Sequence, residues 1–539
     1  MTYKQLYLLT ITFYCLILSQ FGLENFDTGY IPSFSWRIIN GQDVYQDFIY
    51  KGPPVTMYFH AFFMKILPEI GQFFFIRIIF YLLFALQVFF TVSGFYNCFD
   101  FKSLRVNKWA VMSVCFIISL LNFSPYPWPT TDGLLFASFA FWMMSKYKTP
   151  NFYRLLCIAF FTVLSALTKQ SFYLIPFLFL FWIFVKFGIK KALLFLSQIL
   201  FWLGIYFYLI LSITNFDTFL KQTTGETHLH DLFYSGVHYY IFLPIVYFLI
   251  AVIFLGTIIF GYLFFTKQKI EILIPFYKIV IATFFAIAIL FSLGKEFPFA
   301  SRIAFDASAL AVLYAFVFDK RTITYLAPIF VSLGIAWSSS ISMGYPYPIL
   351  YSTSIILSFI VLMDKKLNIN PKWYFWIALP VCLVAFSYNY RPYREATIIN
   401  LKYSLESISP KLKFIKSSKQ TFEKYSELKN LIAKYGENFI VAPNIPMANY
   451  LFNNQSELPV DWIIETEVNR QQKRFIKIAS DKKNYIFLEK SFLKEEECMP
   501  EIASNFSSIS WFIYKKFNKI EETKYFIVYN SLKKNETLP

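Results

Sequence analysis

The chain has 539 residues, 57% of them hydrophobic and 22% aromatic, with only 15% charged. With a mean hydropathy of +0.49, it carries more apolar surface than a soluble domain can hide, whereas a lipid bilayer accommodates it. The formal net charge of +17 therefore concerns which side of a membrane the lysines face, and no nucleic-acid partner is expected.

In chain order, Lys4 precedes an apolar run that resembles a secretory signal. No small-x-small cleavage site follows it, so 5–23 reads as a retained first helix. Further apolar segments fall near 72–96, 109–124, 131–145, 155–168, 171–187, 192–213, 237–265, 279–294, 302–318, 323–337, 349–363 and 373–390. A full span needs roughly 20 residues, so these segments predict an α-helical polytopic membrane protein with about 11–13 transmembrane helices. With the amino terminus cytoplasmic, every predicted inner loop is basic: Lys102/Arg105/Lys108, Lys146/Lys148/Arg154, Lys186/Lys190/Lys191, Lys267/Lys269/Lys278, Lys320/Arg321 and Lys365/Lys366/Lys372. An odd number of spans then leaves the chain from Arg391 onward outside the cell. The expected location is the plasma (inner) membrane, crossed many times, with membrane lipids as neighbours.

The first predicted outer region, about 24–71, is long and polar for a connector between membrane helices. It carries Asp27, Asp43, Asp47 and Lys51, then the Pro53-Pro54 pair that directs the chain into 55–70. That last stretch is apolar but short and contains His60, Lys65, Pro68 and Glu69, so a helix there lies along the interface. The tail, 391–539, shifts towards Lys, Glu, Ser and Asn. Thr421–Tyr435 reads as an amphipathic helix ended by Gly436, and 438–442, 485–488 and 525–529 read as strands of a small extracytoplasmic α/β domain. Only Cys498 among the six cysteines lies in the polar tail, which excludes a disulfide within it.

Several polar residues sit where apolar segments meet water. Asp27 either caps a short helix or acts as a general base towards an acceptor hydroxyl. Lys51 either snorkels to water or holds a lipid-linked phosphate. Asp132, in the turn Pro125-Tyr126-Pro127-Trp128-Pro129-Thr130-Thr131-Asp132-Gly133, either caps the next helix or has a partner, since an ionisable group at the hydrocarbon edge is costly. Lys169-Gln170 and the group Lys295, Glu296 and Arg302 run against the basic-inside trend; an anionic lipid phosphate or a loop salt bridge accounts for each. His60, Asp47 and Tyr50 are candidate substrate contacts. The HLHD run at 228–231 has metal-ligand chemistry, but a lone His-x-His is a weak signal. No metal and no organic cofactor is expected, with a divalent cation as the minor alternative. The polar, aromatic stretch 338–348 suits either a sugar ring or a flexible cover.

Three stretches carry a family resemblance. They are Asp27-x-Gly29-Tyr30 just past the first helix, the run R-I-x-x-G-x-x-x-Y-x-D-F from Arg37 to Phe48, and Lys51-Gly52-Pro53-Pro54 leading into the interfacial helix. With Asp132, the SSSISMG loop and the outer carboxyl-terminal domain, this layout resembles the GT-C class of integral-membrane glycosyltransferases, especially the branch similar to protein mannosyltransferases and aminoarabinose transferases. The resemblance implies a catalytic transmembrane domain over 1–390 and an extracytoplasmic domain over 391–539. It makes Asp27 the catalytic aspartate of the first outer loop and sets Lys51 near the donor phosphate, for which Lys169 and Arg302 are candidate binders from their position against the basic-inside trend. It also implies an inverting transfer of a sugar from a polyprenyl-phosphate carrier to a glycan, lipid or protein acceptor outside the cell, which needs no second carboxylate nucleophile. Many members have Asp-Glu where this chain has Asp27-Thr28. The alternative from another class is a transporter or flippase of a lipid-linked glycan, for which an internal repeat and broken mid-membrane helices are the expected marks.

Overall fold

The computed structural model describes residues 2–101, 106–120, 125–224, 234–242, 297–317, 321–341, 347–362, 390–392, 394–468, 471–481, 484–490 and 508–532. The first two-thirds of the chain is helical: α1 (Tyr3–Leu16), α2 (Tyr30–Ile39), α3 (Val55–Ile66), α4 (Gln72–Cys98), α5 (Lys108–Ser119), α6 (Pro129–Lys146), α7 (Phe152–Ala166), α8 (Ile175–Phe187), α9 (Ile189–Ile213), α10 (Phe216–Thr224), α11 (Phe297–Val317), α12 (Ile323–Ser340) and α13 (Ser352–Leu362). Among the described residues, four helices are long and apolar enough to cross a membrane: Gln72–Cys98, Gln170–Phe187, Ile189–Ile213 and Ile323–Ser340. The 27 residues of α4 extend about 40 Å at 1.5 Å per residue, which exceeds the hydrocarbon core of a bilayer. On α9, Leu193, Leu200, Phe201, Tyr208 and Leu211 are exposed, the face that lipid would cover. The predicted span 279–294, and most of 237–265 and 373–390, lie outside the described residues.

Small and hydroxylated side chains make some of the close helix contacts inside this bundle, beside aromatic pairs such as Phe90–Phe139 and Phe95–Phe141. Thr91 Oγ1 of α4 donates to Ser138 Oγ of α6 at 2.9 Å, and Asn97 to Ser145 Oγ at 3.1 Å, so the two helices run parallel. Ser165 Oγ at the end of α7 donates to the Gly133 carbonyl at the start of α6 at 2.7 Å, an antiparallel contact. A Cβ on Gly133 would stand 2.0 Å from the Phe172 ring and 2.5 Å from Thr168 Oγ1; only glycine lets the segments approach this closely.

The first helix ends sooner than its hydropathy predicts. The apolar run reaches residue 23, yet α1 stops at Leu16 and a 3-10 turn covers Leu18–Gln20. Arg77 of α4 is the physical reason. Its guanidinium, buried, donates to the carbonyls of Ser19, Phe21 and Gly22 at 3.0, 3.2 and 2.6 Å. It thereby satisfies backbone acceptors that a longer helix would have paired internally. The chain leaves the bundle there, at the end that also holds the starts of α4, α6 and α8 and the ends of α7, α9 and α12. Lys108, Lys146, Arg154, Lys186, Lys191 and Arg321 lie at the opposite helix ends.

The tail is built on a four-stranded sheet, β3-β4-β6-β5, from β3 (Phe439–Ala442), β4 (Tyr485–Glu489), β5 (Phe517–Glu522) and β6 (Phe526–Leu532); β3 and β4 are parallel and the other pairs antiparallel. A small antiparallel pair, β1 (Tyr403–Ser404) with β2 (Lys416–Ser417), precedes it. Alternation decides the packing. Phe439, Val441, Phe487, Phe526 and Val528 face α14 (Lys419–Tyr435), whose Tyr425, Leu428 and Leu431 cover them. Ile440, Ala442, Ile486, Leu488 and Ile527 face the other way, onto Phe475, Ile476, Ile509 and Ile513. The predicted helix Thr421–Tyr435 is present two residues longer at its start, and Gly436 caps it with a φ of 97°. The first of these cores continues into Leu23, Met64, Phe73 and Ile76, so the tail packs directly onto the first loop and the start of α4.

That junction is also polar. Arg37 of α2, buried, makes a two-pronged pair with Asp461 (Nε–Oδ2 2.7 Å, Nη2–Oδ1 2.6 Å). Gly22 N donates to Lys416 O, Ile49 N to Pro459 O and Gly71 N to Pro410 O, each within 2.9 Å. Lys411 lies 3.9 Å over the Trp36 ring and donates to Tyr450 O at 2.6 Å; burial pulls its ammonium down to about 8.

Candidate functional site

The site forms where the first loop, the α6 and α8 turns and the tail converge. Asp27 opens a 3-10 turn, Asp27–Gly29, that runs straight into α2. The cap of this turn comes from Glu24, whose Oε2 accepts from Asp27 N at 2.8 Å and Thr28 N at 3.4 Å. The capping that the sequence offered to Asp27 is thus supplied three residues earlier. Arg394, from the tail, reaches both carboxylates, with Nη1 3.3 Å from Glu24 Oε1 and 3.8 Å from Asp27 Oδ2. Burial, and after it the Asp27 charge, hold the Glu24 carboxyl above the usual range, against the pull of the backbone donors and Arg394. Gly29 has a steric reason: a Cβ there would stand 2.6 Å from Met447 Cβ and 2.7 Å from Met447 N of the tail.

One turn further on, Tyr30 donates to Glu467 Oε2 at 3.1 Å, and Lys51 Nζ lies 3.2 Å from Glu467 Oε1. Rings surround this group. The Tyr30 ring stands 5.5 Å from Trp128, 5.8 Å from Trp462 and 6.4 Å from Tyr50. Trp462 also meets Phe26, the neighbour of Asp27, at 6.5 Å, so one aromatic wall runs from Asp27 to Lys51. Burial, then the Glu467 charge, push the Tyr30 hydroxyl well above its ordinary value. The same two causes raise Tyr50, with Asp132 adding a smaller push.

Lys169 completes the cationic side. Gln170 Nε2 donates to Lys51 O at 2.6 Å, while Lys169 Nζ donates to Ile341 O at 2.8 Å and lies 3.5 Å from Thr130 Oγ1, two residues past Trp128. Desolvation pulls its ammonium down to about 8. Asp132 has a side-chain partner, which decides between the two readings of it: His60 Nε2 lies 3.0 and 3.2 Å from its oxygens, both groups buried. The His60–Asp132 pair joins α3 to the first turn of α6.

The other expected contacts separate. Asp47 is exposed and accepts from Asp43 N at 2.6 Å, closing its own turn. Tyr50 is buried in the aromatic group, its backbone held by Gln222 at 3.1 Å. Arg302, buried on α11, stacks 4.6 Å over Tyr347, next to the end of α12 whose Ile341 carbonyl binds Lys169. His228, His230, Lys295 and Glu296 lie outside the described residues. Among the described residues no three of His, Cys, Asp and Glu gather as metal ligands.

Glu24, Trp128, Arg394, Trp462 and Glu467 escaped the sequence reading. Glu24 sits at the edge of an apolar run and looks like an interfacial carboxylate, and Arg394, Trp462 and Glu467 come from a tail with no local pattern pointing inward. Only the proline-rich turn around Trp128 carried a signal.

No family model matches the chain, and no curated protein matches it in sequence. Among solved structures, it is similar to the Archaeoglobus fulgidus oligosaccharyltransferase, crystallised with a disulfide-tethered acceptor peptide that contains the NVT sequon. The match covers 99% of this chain and 75% of that one, with a TM-score of 0.39 and 10% identity. A likeness at that score carries no functional argument.

Proposed function

We propose that the chain is a membrane glycosyltransferase of the GT-C kind, which moves a sugar from a polyprenyl-phosphate carrier to a hydroxyl of a glycan, lipid or protein acceptor with inversion at the anomeric carbon. The observation that carries this is the joining of Asp27 and Lys51 by one aromatic wall, with Lys169 behind it, where helices of membrane length end. A lipid-borne donor needs a site at that depth, and the tail over it would lie outside the cell.

The chemistry follows from the positions. An acceptor O–H attacks the anomeric carbon as the bond from that carbon to the phosphate oxygen breaks. Asp27 takes the proton, and the polyprenyl phosphate leaves with the bonding pair and added negative charge. Lys51 and Lys169 face that charge, where a cation in a partly dry site acts more strongly than in water. The rings of Tyr30, Tyr50, Trp128 and Trp462 offer flat apolar faces to the sugar. Arg394 places a positive charge beside the Asp27 carboxylate, and Glu24 fixes the turn that presents it.

The test is release of polyprenyl phosphate from a panel of polyprenyl-phosphate sugars by the purified chain, with an envelope extract as acceptor. Wild type should turn over at least one donor, and Asp27→Asn should lose at least a hundredfold, since an essential base contributes on the order of 10²–10⁴. If neither protein turns over any donor while liposomes containing wild type pass a lipid-linked glycan across the bilayer, transport replaces transfer.

A further inference from the structure

The Lys51–Glu467 pair differs in kind from the Arg37–Asp461 pair of the same junction. Arg37 and Asp461 are sealed, with side chains 3% and 2% exposed and two hydrogen bonds below 2.8 Å. Lys51 and Glu467 meet through one contact at 3.2 Å, with side chains 20% and 16% exposed. A half-open pair of that geometry contributes at most about 1 kcal/mol and exchanges readily. Yet Glu467 is not a casual surface acid. Its two oxygens go to two different donors, the Lys51 ammonium and the Tyr30 hydroxyl, inside a ring of aromatic side chains that would otherwise make a poor home for a carboxylate.

From this geometry we propose that Glu467 is a resident anion in a phosphate-ester site. Its carboxylate occupies the place of two of the non-bridging oxygens of a prenyl phosphate, and the ligand displaces it to bind Lys51 and Tyr30. The inference rests on the transferase reading and deepens it, because it assigns a tail residue to donor binding. The physical logic is charge bookkeeping. With Glu467 in place the Lys51 ammonium is compensated and the site is stable when empty. A phosphate ester brings its own negative charge, so the carboxylate must swing out on the turn that carries it, Glu465–Val468. The neighbouring Lys169, bound only to neutral oxygens among its hydrogen-bond partners here, supplies the second cation the ester then meets. Each binding event would therefore disturb the tail turn that follows Trp462 by three residues, tying donor arrival to the wall of the site.

The experiment measures binding of a ten-carbon prenyl phosphate to the full chain in detergent by calorimetry, with inorganic phosphate as a second probe. Removing the competitor should tighten prenyl-phosphate binding about three- to tenfold in Glu467→Gln and in Glu467→Ala, the second variant covering a failure of the first to fold. In the double variant K51A/E467Q that gain should vanish. Inorganic phosphate should gain in the same variants but bind more weakly throughout, since it has no chain to bury. Unchanged or weaker prenyl-phosphate binding in both single variants overturns the proposal; it leaves the transferase reading standing if wild type still binds the probe and Asp27-dependent turnover persists. Absence of binding in every form, together with absence of turnover, overturns both.

Discussion

Replacing Asp461 by Asn probes how the tail is held onto the membrane part. Arg37 is buried and loses the charge that compensates it, while keeping Gln42 Oε1 at 2.9 Å and Ser456 O at 3.4 Å. Breaking a buried pair from one side costs about 3–5 kcal/mol. Asn retains one acceptor for Nη2 but turns an amide donor towards Nε, so the lower end, about 3 kcal/mol, applies. At 1.4 kcal/mol per decade this is roughly a hundredfold shift in the local opening equilibrium. Hydrogen exchange of the segment 444–468 should therefore speed up by about two orders of magnitude, with α4 and α6 unchanged. Turnover should fall as well, because Trp462 is the next residue and Glu467 follows within two turns of chain. Replacing both partners, as in R37M/D461L, should recover most of the protection, since a packed apolar pair avoids the stranded charge. Exchange rates of 444–468 equal to wild type in D461N would refute the reasoning that this pair clamps the tail.

Gly29→Ala should cost about 1–3 kcal/mol, since the new Cβ overlaps the Met447 backbone and one side must move; protease sensitivity at the tail junction reports it, and normal sensitivity with full turnover would contradict the close approach. Glu24→Ala leaves the amides of Asp27 and Thr28 without their acceptor, worth about 1–2 kcal/mol; kcat should fall with donor affinity kept, and a change confined to KM would assign Glu24 elsewhere. Lys169 titrates near 8 in the folded chain against an ordinary 10.5. The unfolded chain thus binds more protons between those values, and this group makes stability rise with pH across that window. Donor affinity moves the other way, because the ammonium that meets phosphate is lost as pH climbs through 8. The KM for donor should rise between pH 7 and 9 in wild type and stay flatter in Lys169→Arg; identical profiles would remove Lys169 from the phosphate site.

Much of the scaffold was legible because its signals are local. Apolar runs marked most of the described helices to within a few residues, since burial in lipid acts on each residue separately. The helix ending at Gly436 and three of the tail strands showed through period and punctuation. Where a distant side chain intervenes, local pattern fails: the early stop of α1 depends on Arg77, about sixty residues on, and β5 reads as a charged, exposed stretch whose pairing with β6 supplies its stability.

The candidate site divides the same way. The sequence by itself determined that Asp27, Lys51, Asp132 and Lys169 stand at the ends of apolar segments, because an ionisable group at a hydrocarbon boundary is conspicuous wherever it falls. Only the tertiary structure decided which of them act together. His60 takes Asp132 out of the open site and into a buried pair, Asp47 is turned to its own loop, and Arg394, Trp462 and Glu467 arrive from more than 360 residues away. Contacts of that separation carry no periodic trace in the chain; they exist because the tail packs onto the first loop and the start of α4, and that packing sets which charges share a dry site.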